Sequence, residues 1–193
     1  MVGSATVSAD PDCARVNCGV QVIGANAQDA LGRANEAMQA IIEAVTTSGI
    51  DRADLRTSGP NLFPMEKGYA GSNDVSVLVR DVASVGGVID AIAGAAGPNL
   101  TMRGVSFSVL DSKAYLSEAR AAAMAAARAI ADELAAASEA EVGKVLTINE
   151  SSGFQPPVPV SRVVMASAAT PVESGSQELR IDVTVTYQLI DAR

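Results

Sequence analysis

At 193 residues the chain is long enough to bury a substantial core. It must build that core from Ala, Val, Ile and Leu, because it carries three Tyr, three Phe and no Trp. The formal net charge is −8, with Lys67, Lys113 and Lys144 as the lysines and no Lys/Arg run in the sequence. That balance argues against nucleic acid and anionic membrane surfaces as partners, since both need a basic surface to replace their counterions.

Val7 to Val22 is the first strand signal, broken at Asp10-Pro11-Asp12 because proline cannot donate to a ladder. Past the break Ala14, Val16, Cys18, Val20 and Val22 share one face, opposite Cys13, Arg15, Asn17 and Gln21. Asn26 is the expected N-cap of a long helix, Ala27–Ser48, whose apolar face holds Leu31, Ala34, Met38, Ile41, Ile42 and Val45. Gly49 sits where a terminating glycine belongs. Asp54–Met65 reads as a strand weakened by Gly59-Pro60 and Pro64, Tyr69–Ser72 as a turn, and Asp74–Arg80 as a short strand. A short helix follows over Val82–Ala96, ended by Gly97-Pro98, and Val105, Phe107 and Val109 alternate as a strand.

Asp111 or Ser112 caps the second long helix, Lys113–Glu139, which has fourteen alanines between Ala114 and Ala140. Leu116, Ala123, Ile130 and Ala137 recur every seven residues. Arg120 between them favours a helix packed on its own sheet over a coiled coil. Val145–Asn149 resumes strand. Ser151–Gly175 has no periodicity and contains Pro156, Pro157, Pro159 and Pro171, which marks an arm or functional loop. Its Val158, Val160, Val163, Val164 and Met165 give it apolar side chains suited to an oligomer contact.

From Glu178 to Leu189 the alternation is nearly unbroken, with Leu179, Ile181, Val183, Val185, Tyr187 and Leu189 on one side and polar residues on the other. One apolar and one polar face belong to an antiparallel sheet covered on one side, not to a doubly covered parallel sheet. The expected fold is therefore α+β: a two-layer sandwich, mainly antiparallel, with two long helices on one face. It would form a single domain over 1–193 from two successive β-α-β-β units.

Histidine is absent, which removes Ser-His-Asp and Cys-His catalysis, His-ligated metals and a histidine pH switch together. Cys13 and Cys18 would lie about 16 Å apart on an extended strand, beyond the roughly 7 Å that a disulfide spans. Cys13, on the polar face with Arg15, is the candidate redox-sensitive thiol. Two reduced, incidental cysteines are the simpler reading. Asp10 and Asp12 are too few for a Ca²⁺ site and suit a turn. Gly86, Gly87, Gly94 and Gly97 fit neither a dinucleotide fingerprint nor a P-loop. No residue is assigned to catalysis, a cofactor or a metal.

Several words in order resemble the SIMPL-domain family, which includes periplasmic immunogenic proteins and bacterial proteins linked to oxidative-stress defence. They are Ser8-Ala9-Asp10-Pro11-Asp12 with Ala14, Val16 and Gly19-Val20; Gly49-Ile50 with Asp54-Leu55-Arg56-Thr57; and Leu62 with Pro64. Further on come Phe107-Ser108, Glu118-Ala119-Arg120, Gly143-Lys144-Val145, and Thr170-Pro171-Val172-Glu173-Ser174-Gly175 leading into Val183–Leu189. The resemblance implies a two-layer α+β domain that often forms rings or larger homo-oligomers outside the cytoplasm, with no agreed catalytic residues. The Met65–Gly71 segment is shorter than the family's corresponding hairpin, and Cys13 and Cys18 fall outside its pattern.

Three classes of function stay open. The first is a non-enzymatic cell-envelope or secreted homo-oligomer connected with stress defence. The second is a small-ligand or protein-binding module, although no basic or aromatic cleft shows in the sequence. The third is a thiol antioxidant using Cys13. No apolar run reaches the length of a membrane span. The protein is expected to be exported if a leader preceded residue 1, and cytoplasmic if Met1 is the native start.

Overall fold

Proline at position 11 does more than interrupt a strand. In the computed structural model, which describes residues 1–154 and 170–191, β1 (Val2–Ala9) and β2 (Cys13–Gly24) lie on either side of Asp10-Pro11-Asp12 and enter different sheets. The strands, expected in one sheet, divide between a three-stranded sheet and a four-stranded sheet, each antiparallel. The α+β class and the antiparallel pairing stand. Two compact units result, each with its own core.

The four-stranded sheet has the order β3-β4-β2-β5, with β3 at Leu55–Pro64, β4 at Tyr69–Val79 and β5 at Leu100–Ser108. Helices α1 (Ala27–Thr47) and α2 (Val85–Ala96) cover one face. Asn26 caps α1 as expected: its side chain accepts from the Asp29 N–H at 2.9 Å, and Asp29 reaches back to the Ala25 N–H at 3.1 Å. Gly49 follows the helix at φ 91°. Under α1, Val16, Cys18 and Val20 of β2 stand opposite Val77, Val75 and Asn73 of β4, and all are buried. Asn73 Oδ1 has no hydrogen-bond partner among the described residues.

β4 begins five residues earlier than its short alternating run predicts. The expected turn at Tyr69–Ser72 is part of the strand, and the chain reverses at Met65–Gly68, where the Met65 N–H donates to the Gly68 carbonyl at 3.0 Å. Ala70 and Gly71 carry little intrinsic strand preference. Ladders on both sides hold them extended, to Phe63 and Leu62 of β3 and to Ile23 and Val22 of β2.

The three-stranded sheet has the order β1-β7-β6, with β6 at Ala140–Phe154 and β7 at Gln177–Asp191. Helix α3 (Lys113–Ala137) lies over β1 and β7. Ser112 holds the cap position, but it is Asp111 that accepts from the Lys113 N–H, at 3.1 Å. The buried stripe of α3 is Ala119, Ala123, Ala127, Ala131 and Ala135, a four-residue step. Ile130 and Ala137 of the seven-residue series are exposed, so the helix packs on its own sheet along an i, i+4 ridge. Alanine there lets the backbones approach closely. A side chain at Gly3 of β1 would sit 2.1 Å from the Ala123 carbonyl oxygen and 2.5 Å from the Ala127 nitrogen.

The element order does contain two β-α-β-β runs, β2-α1-β3-β4 and β5-α3-β6-β7. In the first, β2 pairs with β4. In the second, the equivalent place beside β7 belongs to β1, while β5 pairs with β2 instead. The echo seen in the sequence is thus completed by an exchange of strands.

Along β7 the odd-numbered residues from Gln177 to Val185 are buried and the even ones face outward. Val183 is packed under α3, whereas Thr184 lies between Val2 and Asn149 on the open face. Val183→Asp is expected to cost more than about 3 kcal/mol, a large share of the roughly 5–15 kcal/mol by which a domain is stable, because it buries an unpaired charge. Thr184→Asp should stay within about 0.5 kcal/mol. Chemical denaturation of both variants checks the difference.

Candidate functional site

The open face of the four-stranded sheet is polar and unusually bare. One cross-strand row runs Arg56, Ser76, Asn17 and Gly104; the next runs Gly59, Asp74, Gly19 and Thr101. Both outer strands slip register beside these rows. On β3 the irregularity falls between Thr57 and Gly59, and on the β2–β5 ladder between Asn17 and Cys18. A bulge bends its strand and re-aims the extra residue. Here the extra residues are Ser58 on β3 and Arg103 on β5.

Arg103 reaches across β2 to Asp74 on β4, donating from Nε and Nη2 at 2.8 and 2.9 Å. Gly19 makes that reach feasible. A side chain on it would come within 2.1 Å of Asp74 Oδ1 and 2.6 Å of the Asn73 carbonyl oxygen. The result is a hollow of about 730 Å³ bordered by Asn17, Arg56, Ser58, Asp74, Ser76 and Arg103. Arg15 lies at its margin and donates to Ser76 Oγ at 3.4 Å. The Arg56 guanidinium has no ion pair or hydrogen bond to another described residue.

A second hollow, of about 490 Å³, follows the end of α1 and contains Asp54 and Arg80. Arg80 grips both carboxylate oxygens of Asp54 at 2.7 Å. The hydrogen bonds and charge of that guanidinium hold the Asp54 carboxyl below the usual carboxylate range. In the other unit, Arg120 of α3 pairs with Glu150 of β6 at 2.9 Å and lowers the Glu150 carboxyl in the same way. Beside it on α3, Arg128 stands 5.7 Å from the centre of the Tyr187 ring.

Both cysteines are free and buried. Cys18 faces the core, as its parity predicts. Burial pushes its thiol up to about 11, with the Asp74 carboxylate adding to the effect. Cys13 has the opposite parity yet is only 1% exposed, where the polar side was expected to be wet. It stands opposite Ser108 on β5, and its sulfur lies 3.1 Å from the Ser108 carbonyl oxygen and 3.2 Å from its hydroxyl. Val158, Val160, Val163, Val164 and Met165, expected to supply an oligomer contact, lie outside the described residues.

Asp12 performs the turn role read from the sequence. Its carboxylate accepts from the Leu110 N–H at 2.7 Å, and its own N–H donates to the Ser108 carbonyl at 3.2 Å. Among the described residues no group of three or more Cys, Asp or Glu gathers as metal ligands would. No described helix is long and apolar enough to cross a membrane. Sequence reasoning missed the hollow, because Arg15, Arg56 and Arg103 sit on three different strands. The local signals were the strand glycines Gly19, Gly59 and Gly104, which mark bulges and close approach.

These features define an α+β protein of antiparallel sheets, each backed by helix on one face. The chain belongs to the SIMPL family, described as proteins of unknown function (DUF541), whose pattern matches residues 1–187. It is 29% identical to the 26 kDa periplasmic immunogenic protein of Brucella melitensis, an alignment covering 98% of this chain and 83% of that protein. It is also 29% identical to the uncharacterized protein YggE of Escherichia coli K12, over 86% of this chain and 71% of the relative. A crystal structure of an unknown protein from Galdieria sulphuraria aligns with 92% of this chain and 99% of its own, at 9% identity and a TM-score of 0.26.

Two outcomes are expected from this chemistry. In the native protein at pH 8, neither thiol should react with iodoacetamide on the timescale of a free cysteine, and both should react after unfolding in guanidinium. Mass spectrometry counts the adducts, and rapid native labelling at Cys13 would contradict its burial. The second concerns acid. Asp54 is depressed in the folded state, so its contribution is present above the unfolded carboxylate range, near pH 4, and is lost as pH falls through its folded value. Arg80→Gln should therefore melt below the parent at pH 7, with the gap closing toward pH 2.5. A gap that stays constant across that range would remove the ion pair as its cause.

Proposed function

We propose that this protein is a non-enzymatic component of the cell envelope, exported and assembled as a homo-oligomer. The name of the Brucella relative, a periplasmic immunogenic protein, supports export. Two buried thiols with no bridge between them are compatible with an oxidising compartment. The stress-defence association enters with the family resemblance and rests on no residue in this chain. A thiol antioxidant reading ranks below assembly, because Cys13 is packed against Ser108 and not presented to solvent.

The observation that carries the assembly reading is the outer strand of the three-stranded sheet. Among the described residues β6 pairs with β7 alone and none of them pairs with its other edge, and the backbone donors and acceptors of an edge invite a further strand. Such an edge is normally short or guarded by charge. This one belongs to a fifteen-residue strand that carries Glu141, Lys144 and Glu150 but also exposes Leu146 and Ile148, each at 54%. The apolar surface continues onto β7, where Leu189 is 58% exposed opposite Val142. An unpaired edge with apolar neighbours is suited to a second copy of the same strand, and a repeated contact that closes leaves no growing end.

Light scattering tests this directly. The parent should have a discrete mass several times 19.6 kDa, unchanged by reductant. Leu146→Lys with Ile148→Lys should shift it toward one chain while the circular dichroism spectrum is kept. A monomeric parent overturns the proposal, and a reductant-sensitive oligomer replaces it with a thiol-linked one.

A further inference from the structure

The hollow on the open face of the four-stranded sheet has the chemistry of an anion site. Two guanidinium groups, on Arg56 and Arg103, line it together with one carboxylate, Asp74, and a third, on Arg15, reaches its edge through Ser76. This is a local excess of positive charge in a chain of net charge −8. Asp74 is committed to Arg103 through both oxygens. Arg56 keeps its five-donor fork unengaged by described residues, a geometry that matches a carboxylate or phosphate. Surface arginines alone would say little. Here the two register irregularities lie on opposite sides of the hollow and set Ser58 and Arg103 along its border. The sheet face beside it is bare as well, since a side chain at Gly59 or Gly104, in the neighbouring cross-strand rows, would meet nothing within 4 Å. Its 730 Å³ lies within the range of about 300–1,000 Å³ typical of small-molecule sites.

We propose that this hollow binds a small molecule through a phosphate or carboxylate group, with Arg56 making the principal contact and Arg15 and Arg103 flanking it. Asp74 then has a second role: by holding Arg103 it limits how much positive charge the empty hollow presents. That gives the proposal opposite signs at two positions. Removing Arg56 should weaken binding, whereas removing the Asp74 charge should release Arg103 and strengthen it.

The test is calorimetric titration of the full chain with inorganic phosphate and, separately, with citrate, at an ionic strength held constant with chloride. Saturable binding of one or both probes is expected, and the tighter probe identifies the oxyanion. Arg56→Gln should weaken it about tenfold or more, the loss expected for a hydrogen-bonded charge. Asp74→Asn should tighten it severalfold, and Arg180→Gln, on the other sheet, should leave it unchanged. Melting curves establish that each variant is folded. Should Asp74→Asn not fold, Arg56→Gln measured against Arg180→Gln still decides. The proposal is overturned if the parent binds neither probe at millimolar concentration. Equal losses in Arg56→Gln and Arg180→Gln would overturn it too, since they would reduce the effect to general charge screening.

Discussion

The hydrogen bonds of Asp12 fix where this chain changes sheets. Pro11 ends β1's alternation by removing a ladder donor, and at the next residue the Asp12 N–H and carboxylate are tied to Ser108 and Leu110. These contacts hold the start of β2 against the end of β5, the two ends of the Pro11–Leu110 segment that carries the four-stranded sheet. Cys13 against Ser108 is the first rung above the tie. The exchange of β1 and β5 between the echoed units depends on this point. If the strand ran unbroken through position 11, β1 and β2 would be one strand in one sheet.

Much of this architecture was legible because it follows from local physics. The N-cap at Asn26, the close of α1 at Gly49 and the alternation of β7 are each set by neighbours a few residues away. The division into two sheets was not legible. Alternation states that one face of a strand is apolar, but says nothing about which other strands share that face. The early start of β4 escaped for the same reason: Ala70 and Gly71 are extended because of ladders to β2 and β3, not because of their own preference.

The candidate hollow shows the limit more sharply. The sequence has no basic run, and read along the chain it predicts no basic cleft. Yet Arg15, Arg56 and Arg103 come from three strands, and Gly19 lets Arg103 cross the strand between its own and Asp74's. Charge clustering in an antiparallel sheet is a property of register, so it is invisible to a scan along the chain. What the sequence did carry was the isolated strand glycine, a sign that something approaches closely.

The two units differ in how much they bury, and this bears on assembly. The four-stranded unit packs strand valines against Met38, Ile41 and Val45 of α1 and Val88 and Ile92 of α2. The core cluster of the three-stranded unit is Ala119, Ala123 and Ala127 with Ile181, Val183 and Val185. Alanine permits the close approach of α3 to β1 at Gly3, but each one removes little apolar area from water, and burial stabilises by only about 25 cal/mol per Å². Three of its larger apolar side chains, Leu146, Ile148 and Leu189, are instead on its surface. A close-packed helix of small residues thus leaves the outer strand with apolar side chains that its own unit does not cover. Burial of those side chains against another copy would supply the area that the alanine stripe forgoes, which links the composition of α3 to the edge of β6.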